Sequence, residues 1–363
     1  MRMNLSLDQF LSLSEAEQLP YIGRQGVLYA SQFDRHTLDH LCRVAEAARV
    51  MHQTPAGAQQ MSELLRHRMA LNFFIQPSSR TFMSFNTAQA FLGLSRMSVR
   101  DAKISSMSKG ESLVDSVRTF ISYVDLVVMR HPDENAAATA FWTSTQAHRR
   151  VHLPDGDHVP VPIVSGGSGT KHHPTQALLD VYTLQKSLGT IDGRTLMLVG
   201  DLGRGRTVRS LAQLMRNYSN VTLLFAAPEK YQMLPDITAQ LDAAGVDWHV
   251  LPSLESGIDA ADAVYMTRIQ DEWDGGNGGE HVRADPAFAF RPDHLDRMKP
   301  NACLMHPLPK RDEIDPALDY IDDERIVYWR QERNGMWMRV ALLAWLFRVE
   351  SALLVDAPTL QRG

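Results

Sequence analysis

Phe73-Phe74-Ile75-Gln76-Pro77-Ser78-Ser79-Arg80-Thr81-Phe82 is the stretch whose reading decides the fold. An apolar, β-rich run stops at a proline, and a cluster of hydroxyls around one arginine then opens a helical pattern. A strand passing into a helix through so short a turn is half of a parallel βαβ unit. The same turn gathers unpaired backbone N–H groups, the positive end of a helix and a guanidinium at one point, which suits a phosphate dianion. The Gly-x-x-x-x-Gly-Lys of a nucleotide P-loop is missing, so the expected ligand is a small phosphorylated compound rather than ATP. The plain alternative is an ordinary strand-to-helix turn with serine N-caps.

Outward from this turn the alternation repeats. Strands are expected at Ala70 to Ile75, Met97 to Val99, Leu126 to Met129 and Pro162 to Val164, then at Leu196 to Val199, Val221 to Phe225, Val246 to Val250, Val264 to Met266 and Cys303 to Met305. Between them, Leu113, Val117, Phe120, Ile121 and Val124 share one helical face, as do Val208, Leu211 and Met215. Gln176 to Leu188 reads as a helix joining two halves. A chain of 363 residues is long for one core, so an α/β fold of two domains is predicted, each a parallel sheet flanked by helices. His148 to His158 and Asp274 to Gly279 read as surface loops.

Composition narrows the function classes. A net charge of -5 gives no electrostatic case for nucleic acid as the partner. The two cysteines, Cys42 and Cys303, lie far apart in sequence and fit a reducing compartment. Asp8, Glu15 and Glu17 stand where a signal peptide would need an apolar run. The most apolar segment, Met336 to Leu354, carries Arg339, Arg348 and Glu350, and reads as a buried helix rather than a membrane span.

Further polar clusters fall at strand ends, where α/β folds place ligands. Ser105-Ser106-Met107-Ser108-Lys109-Gly110-Glu111 is a polar loop with one cation, which could equally be plainly solvated. Arg130, in Met129-Arg130-His131-Pro132, ends an apolar strand and reads as a ligand clamp. In His172-His173-Pro174-Thr175-Gln176 one imidazole beside a helix start can donate to a developing oxyanion, while the spacing of the pair suits zinc poorly. Gly200-Asp201-Leu202-Gly203-Arg204-Gly205-Arg206-Thr207 superficially resembles a dinucleotide turn. The next strand lacks the acid a ribose would need, so an anion-binding turn with Arg206 fits better. Arg206 and Arg268 together would suit a dicarboxylate, or each could serve a structural ion pair. His306-Pro307-Leu308-Pro309 is a rigid turn whose carbonyls could accept from an amide.

Taken in order, Ser78 to Thr81, Ser105 to Asp115, Val128 to Pro132, His173 to Asp180, Gly200 to Leu211, Tyr265 to Gln270 and His306 to Ile314 give the chain a sequence that resembles the aspartate/ornithine transcarbamylase family. The resemblance implies a carbamoyl-phosphate domain over residues 1–172, with a C-terminal helix over 336–363 packing back on it, and an aspartate domain over 173–335. It implies transfer of the carbamoyl group from carbamoyl phosphate to L-aspartate in pyrimidine biosynthesis. By position, Ser78, Ser79, Arg80, Thr81, Arg130, His173, Gln176, Leu308 and Pro309 would hold carbamoyl phosphate. Arg80, Thr81, Arg130 and His173 would be catalytic, and Ser105, Lys109, Arg206, Arg268 and Gln270 would hold aspartate. No cofactor and no metal is implied. The family further implies a cytoplasmic homotrimer in which the Ser105–Lys109 loop completes a neighbour's site. Regulatory or pathway-enzyme subunits are the expected further partners; nucleic acid and membrane are not.

The chain departs from that family's pattern at several points. The phosphate motif usually reads Ser-Thr-Arg-Thr-Arg, and Phe82 replaces its second arginine. Asp271-Glu272-Trp273 follows Gln270 where a basic residue is usual. Residues 148–158 form an insertion, and about 25 residues precede the matching region. The alternatives are a transcarbamylase for ornithine or an N-acylornithine, a catalytically silent structural paralogue, and an oxidoreductase using the Gly200 turn. Pro307 stands where the ornithine branch has cysteine, and the arginines that a silent paralogue would be expected to lose are present.

Overall fold

The computed structural model of the chain describes residues 3–101, 110–169, 172–271 and 283–354. It divides into two compact units: one holds the chain to Thr175 and takes it up again at Gly335, and the other runs Gln176–Asn334.

The first unit opens with α1 (Leu7–Ser12), α2 (Glu15–Ile22), β1 (Gly26–Val27), α3 (Arg35–Met51) and α4 (Pro55–Glu63). It continues through β2 (Met69–Phe74), α5 (Ser79–Phe91), β3 (Ser95–Val99), α6 (Leu113–Tyr123), β4 (Leu126–His131) and α7 (Ala136–Gln146). A hairpin of β5 (Val151–His152) and β6 (His158–Val159) precedes β7 (Ile163–Ser168). The five-stranded sheet has the order β1-β7-β4-β2-β3, and all its pairings are parallel. Leu71, Phe73, Val127, Val128, Met129, Ile163 and Val164 are buried, as the strands of a sheet covered on both faces must be. Asn72 sits among them. Its amide exchanges bonds of 2.8 and 2.9 Å with Gln89 of α5, so the core is satisfied and α5 is pinned to β2.

The second unit begins within α8 (Pro174–Leu188) and continues through β8 (Thr195–Val199), α9 (Arg206–Met215), β9 (Thr222–Ala226), α10 (Pro235–Ala244), β10 (Asp247–Leu251), β11 (Ala263–Met266) and β12 (Cys303–Met305). It ends within α11 (Tyr328–Leu346). Its sheet has the order β10-β9-β8-β11-β12, again entirely parallel. Met197, Val199, Val264, Met266, Leu304, Phe290 and Tyr328 belong to its core.

Parallel strands end together along one sheet edge, and successive connections reverse direction at one point in each unit. In the first unit the reversal lies between β2 and β4. In the second it lies between β8 and β11. Loops on either side of such a reversal diverge and leave a crevice outside the strand ends.

Several expectations need correction. Residues 148–158 are not plain loop: Val151 and Val159 are buried, the His152 and His158 rings lie 3.9 Å apart, and Arg348 holds Asp155 and Asp157. The helix expected over 336–363 starts earlier, at Tyr328, and ends at Leu346; Arg348 has φ +56°, which stops it. Among the described residues ahead of the matching region, Leu7–Ser12 and Glu15–Ile22 form the capped helices α1 and α2. Phe10 of α1 is buried against Phe141, and Trp142 Nε1 donates to the Leu5 carbonyl at 2.9 Å. Residues 274–279 lie outside the described residues. Among the described residues no helix is long and apolar enough to cross a membrane.

Candidate active site

In the first unit the reversal point carries the phosphate-type turn. Phe74 of β2 pairs with Arg130 of β4, and the Ile75 N–H continues the ladder to the Arg130 carbonyl at 2.9 Å. Ser78 occupies the N-cap of α5, but among the described residues its side chain makes no capping bond. The serine-cap reading therefore does not account for it. Its hydroxyl and the first N–H groups of α5 are left at the positive end of the helix dipole. Arg80 is exposed at this turn and Thr81 is buried.

Arg130 is almost wholly buried, a position that guanidinium groups seldom take without a task. The register of β4 against β7 shifts between Met129 and His131, and such an irregularity re-aims the side chain that it carries. Arg130 Nη1 donates to the Gly166 carbonyl at 3.0 Å and lies 3.4 Å from His173 Nε2. A guanidinium only donates, so Nε2 is the acceptor here and the ring proton sits on Nδ1. A Cβ on Gly166 would lie 3.6 Å from the Thr81 methyl and 3.3 Å from the Phe74 ring. Glycine thus lets Thr81 and Arg130 approach one small space. The neighbouring His131 is held below its ordinary pKa by burial, opposed by Asp133.

The paired histidines separate by role. His172 packs edge-on to Tyr29 and lies 3.9 Å from Glu15, while His173 turns to Arg130. Phe82 packs edge-on to Phe74 with the Arg100 guanidinium 4.3 Å over its face. Arg339 of α11 donates to Ser84 at 2.8 Å and lies over Phe85, holding α5 from behind.

In the second unit the reversal point gathers the Gly200 turn and the segment after β11. Gly200 has φ +110°, and a Cβ there would fall 2.0 Å from the Thr267 carbonyl oxygen, so only glycine fits. Asp201 is fully buried. It accepts from the Arg204 backbone and side chain at 3.1 and 2.8 Å, and from the Gln270 N–H at 3.1 Å. Arg204 is thereby a structural residue, stacked on Tyr231. Arg206 stands at the first position of α9, and the Gln270 amide nitrogen lies 3.5 Å from where a Gly205 Cβ would be. Arg268 donates to the Ile269 carbonyl at 3.0 Å and lies 4.0 Å from Asp271, whose carboxylate takes Arg311 at 2.8 Å. The segments bearing Arg206, Arg268 and Gln270 are therefore joined through Asp201.

After β12, the turn from His306 to Pro309 has Leu308 at φ +52° and a cis Leu308–Pro309 bond. The His306 ring accepts from the Leu308 N–H at 2.8 Å through Nδ1, which puts its proton on Nε2, 2.8 Å from Glu313. Gln176 donates to Asp180 at 3.0 Å. Ser105, Lys109, Glu272 and Trp273 lie outside the described residues.

Sequence reasoning missed the supporting residues: Asn72, Gly166, Asp180, Asp201, Glu313 and Gln331. Asp180 carried a signal, because it interrupts the apolar run Leu178, Leu179, Val181, Leu184. Gln331 carried none.

Comparison with known proteins agrees with this layout. Residues 25–186 match the family model described as the aspartate/ornithine carbamoyltransferase carbamoyl-P binding domain, and residues 192–346 match the Asp/Orn binding domain of the same family. The chain is 38% identical over 318 residues to aspartate carbamoyltransferase 1, chloroplastic, of Pisum sativum, covering 87% of this chain and 77% of that protein. It is 35% identical over 321 residues to the aspartate carbamoyltransferase catalytic subunit of Chromobacterium violaceum, covering 88% and 97%. A crystal structure of aspartate transcarbamoylase from Trypanosoma cruzi, in complex with aspartate and phosphate, matches with TM-score 0.74 at 33% identity, over 90% of this chain and 96% of that one.

Proposed function

The chain belongs to the aspartate/ornithine carbamoyltransferase family, and from that premise we infer how its residues divide the work. Its activity is transfer of the carbamoyl group of carbamoyl phosphate to L-aspartate, giving N-carbamoyl-L-aspartate and phosphate for pyrimidine synthesis. The first unit supplies Ser78, Ser79, Arg80, Thr81, Arg130 and His173 for carbamoyl phosphate, and the second supplies Arg206, Arg268 and Gln270 for aspartate.

The observation that carries the residue assignment is the convergence of Thr81, Arg130 and His173 beside the N-terminus of α5. Ser78, Ser79, Arg80 and Thr81 take the phosphate. Arg130 spans phosphate and carbonyl oxygen, and Thr81 and His173 complete the donors to that oxygen. As the aspartate amine attacks, the new C–N bond forms and negative charge grows on the carbonyl oxygen; the C–O bond to phosphate then breaks, and the departing phosphate takes up the charge and the proton that the amine loses. Thr81, Arg130 and His173, buried donors already in place, stabilise the first charge without reorganising, and Arg80 adds its guanidinium charge at the phosphate. Gln176 and the Leu308 and Pro309 carbonyls accept from the carbamoyl N–H2. Arg206, Arg268 and Gln270 take the aspartate carboxylates, with Ser105 and Lys109 assisting.

The assembly in this reading is a cytoplasmic homotrimer with shared sites. The lone cation in the polar sequence from Ser105 to Gly110 supports shared sites, and the buried, unpaired Cys42 and Cys303 support a reducing compartment. The bacterial relative is described as a catalytic subunit, which supports a regulatory or pathway-enzyme partner.

One assay tests the acceptor. Carbamoyl-phosphate-dependent product formation is measured with aspartate, ornithine and N-acylornithine side by side, and only aspartate is expected to turn over. Turnover of ornithine with none of aspartate overturns the reading.

A further inference from the structure

We propose that Asp180 is the positioning residue that makes the site choose an amide over a methyl group, by fixing every acceptor offered to the carbamoyl N–H2. The inference rests on the reading above, in which those acceptors are Gln176 and the carbonyls of Leu308 and Pro309.

Asp180 lies on α8 with no solvent exposure. One carboxylate oxygen accepts from Gln176 Nε2 at 3.0 Å and from Gln331 Nε2 at 2.7 Å. The other accepts from the Tyr265 hydroxyl at 2.8 Å. A carboxylate only accepts, so it captures the N–H2 end of each glutamine. For Gln176 this turns the carbonyl oxygen away from Asp180 and makes it the end offered to a ligand. For Gln331 it aims the carbonyl oxygen at the His306 N–H, 2.9 Å away. His306 in turn holds the Leu308 N–H on its ring and is backed by Glu313, itself buried and bonded to the Arg311 N–H at 2.9 Å. The turn is thus clamped on its buried side by N–H groups, which leaves its Leu308 and Pro309 carbonyls for a donor. Tyr265 stays protonated, because burial and the Asp180 charge raise its pKa well above 10, and its hydroxyl is bonded to Thr207 beside Arg206. One carboxylate therefore sets the orientation of Gln176 and, through Gln331, of the Leu308–Pro309 turn.

A merely structural carboxylate would stabilise the fold without affecting which donor group is preferred. An orienting one controls the preference for N–H2 over CH3, since acceptors aimed at an amide are left unpaired by a methyl group. The test compares the affinities of carbamoyl phosphate, acetyl phosphate and inorganic phosphate in wild type and Asp180→Asn, with carbamoyl transfer to aspartate assayed in parallel. The substitution keeps the shape but replaces one acceptor by a donor, so the glutamine amides lose their fixed sense. Wild type is expected to favour carbamoyl over acetyl phosphate by at least ~10-fold, and the variant by about 2-fold or less, with inorganic phosphate unchanged.

Gln331→Met supplies a second arm should Asp180→Asn fail to fold. It leaves Asp180 on Gln176 and Tyr265 but frees the turn, and should lower the preference roughly 3-fold. A folded variant of either kind that keeps the full wild-type preference overturns the inference. Wild-type protein that carbamoylates aspartate yet binds both acyl phosphates equally overturns the inference alone. Failure to carbamoylate aspartate overturns the reading beneath it and the inference as well.

Discussion

Arg80 and Thr81 occupy the first turn of α5, where backbone N–H groups have no partner within the helix and any anion is drawn to the positive dipole end. In the proposed reaction the guanidinium of Arg80 adds a charge whose value grows as the leaving phosphate takes up electrons. Arg80→Ala should therefore cut kcat by roughly 10²-fold or more while the thermal unfolding midpoint stays near wild type, since the residue is exposed. Near-normal turnover in that variant would assign the phosphate elsewhere. The strand-end and helix-start positions of Arg80, Arg130 and His173 were readable from sequence for a physical reason. Each is a polar residue at the end of an apolar strand or the start of a helix, where burial by packing alone is not expected. The residues that brace α5, α8 and the turn after β12 were not readable. Gln331 reaches Asp180 across 151 residues of chain, and a hydrogen bond of that span leaves no periodic trace. Asn72 and Gln89 hid in the same way, each alone unremarkable and satisfied only as a pair.

At the scale of elements, apolar runs located the longer strands because a parallel sheet buried on both faces needs unbroken hydrophobic residues. That logic gave no signal for the β5–β6 hairpin, whose order comes from a histidine pair and two carboxylates on Arg348. Nor could it place the start of α11, because the first turns of that helix are rich in charged and polar residues. The turn after β12 is the element on which pH should act. Burial pushes the Glu313 carboxyl up, but the hydrogen bond from His306 and the Arg311 N–H outweigh it and hold the group below its ordinary 4.5. The native state thus favours the ionised form. The stability that this supplies is fully present above pH 4.5 and is lost as the pH falls through the native value. Glu313→Gln removes that titration. Urea unfolding followed downward from pH 4.5 should show wild type losing stability more steeply than the variant. Parallel acid limbs in the two proteins would mean that Glu313 is not held ionised in the turn.

For the whole molecule, the topology repeats one solution: among the described residues each unit holds a parallel sheet of five strands, and each carries the residues proposed to bind anions at its own reversal of strand order. The source of Lys109 is a matter of assembly. In the proposed homotrimer that lysine completes a neighbour's site, so no chain owns a whole one, and the idea can be tested by mixing defects. Lys109→Ala and Arg80→Ala proteins should each be nearly inactive as pure trimers, because every site then lacks one of the two cations. When the two are dissociated, mixed and reassembled, each mixed trimer contains one site that draws Arg80 from the first protein and Lys109 from the second. Random mixing in equal amounts should restore roughly a quarter of wild-type turnover, the share fixed by cyclic symmetry and chance pairing. The recovered kcat/KM per intact site should equal that of wild type, because nothing in that site is altered. Mixed trimers verified by mass and still inactive would place Lys109 in the site of its own chain, and the assembly would then have no role in the chemistry.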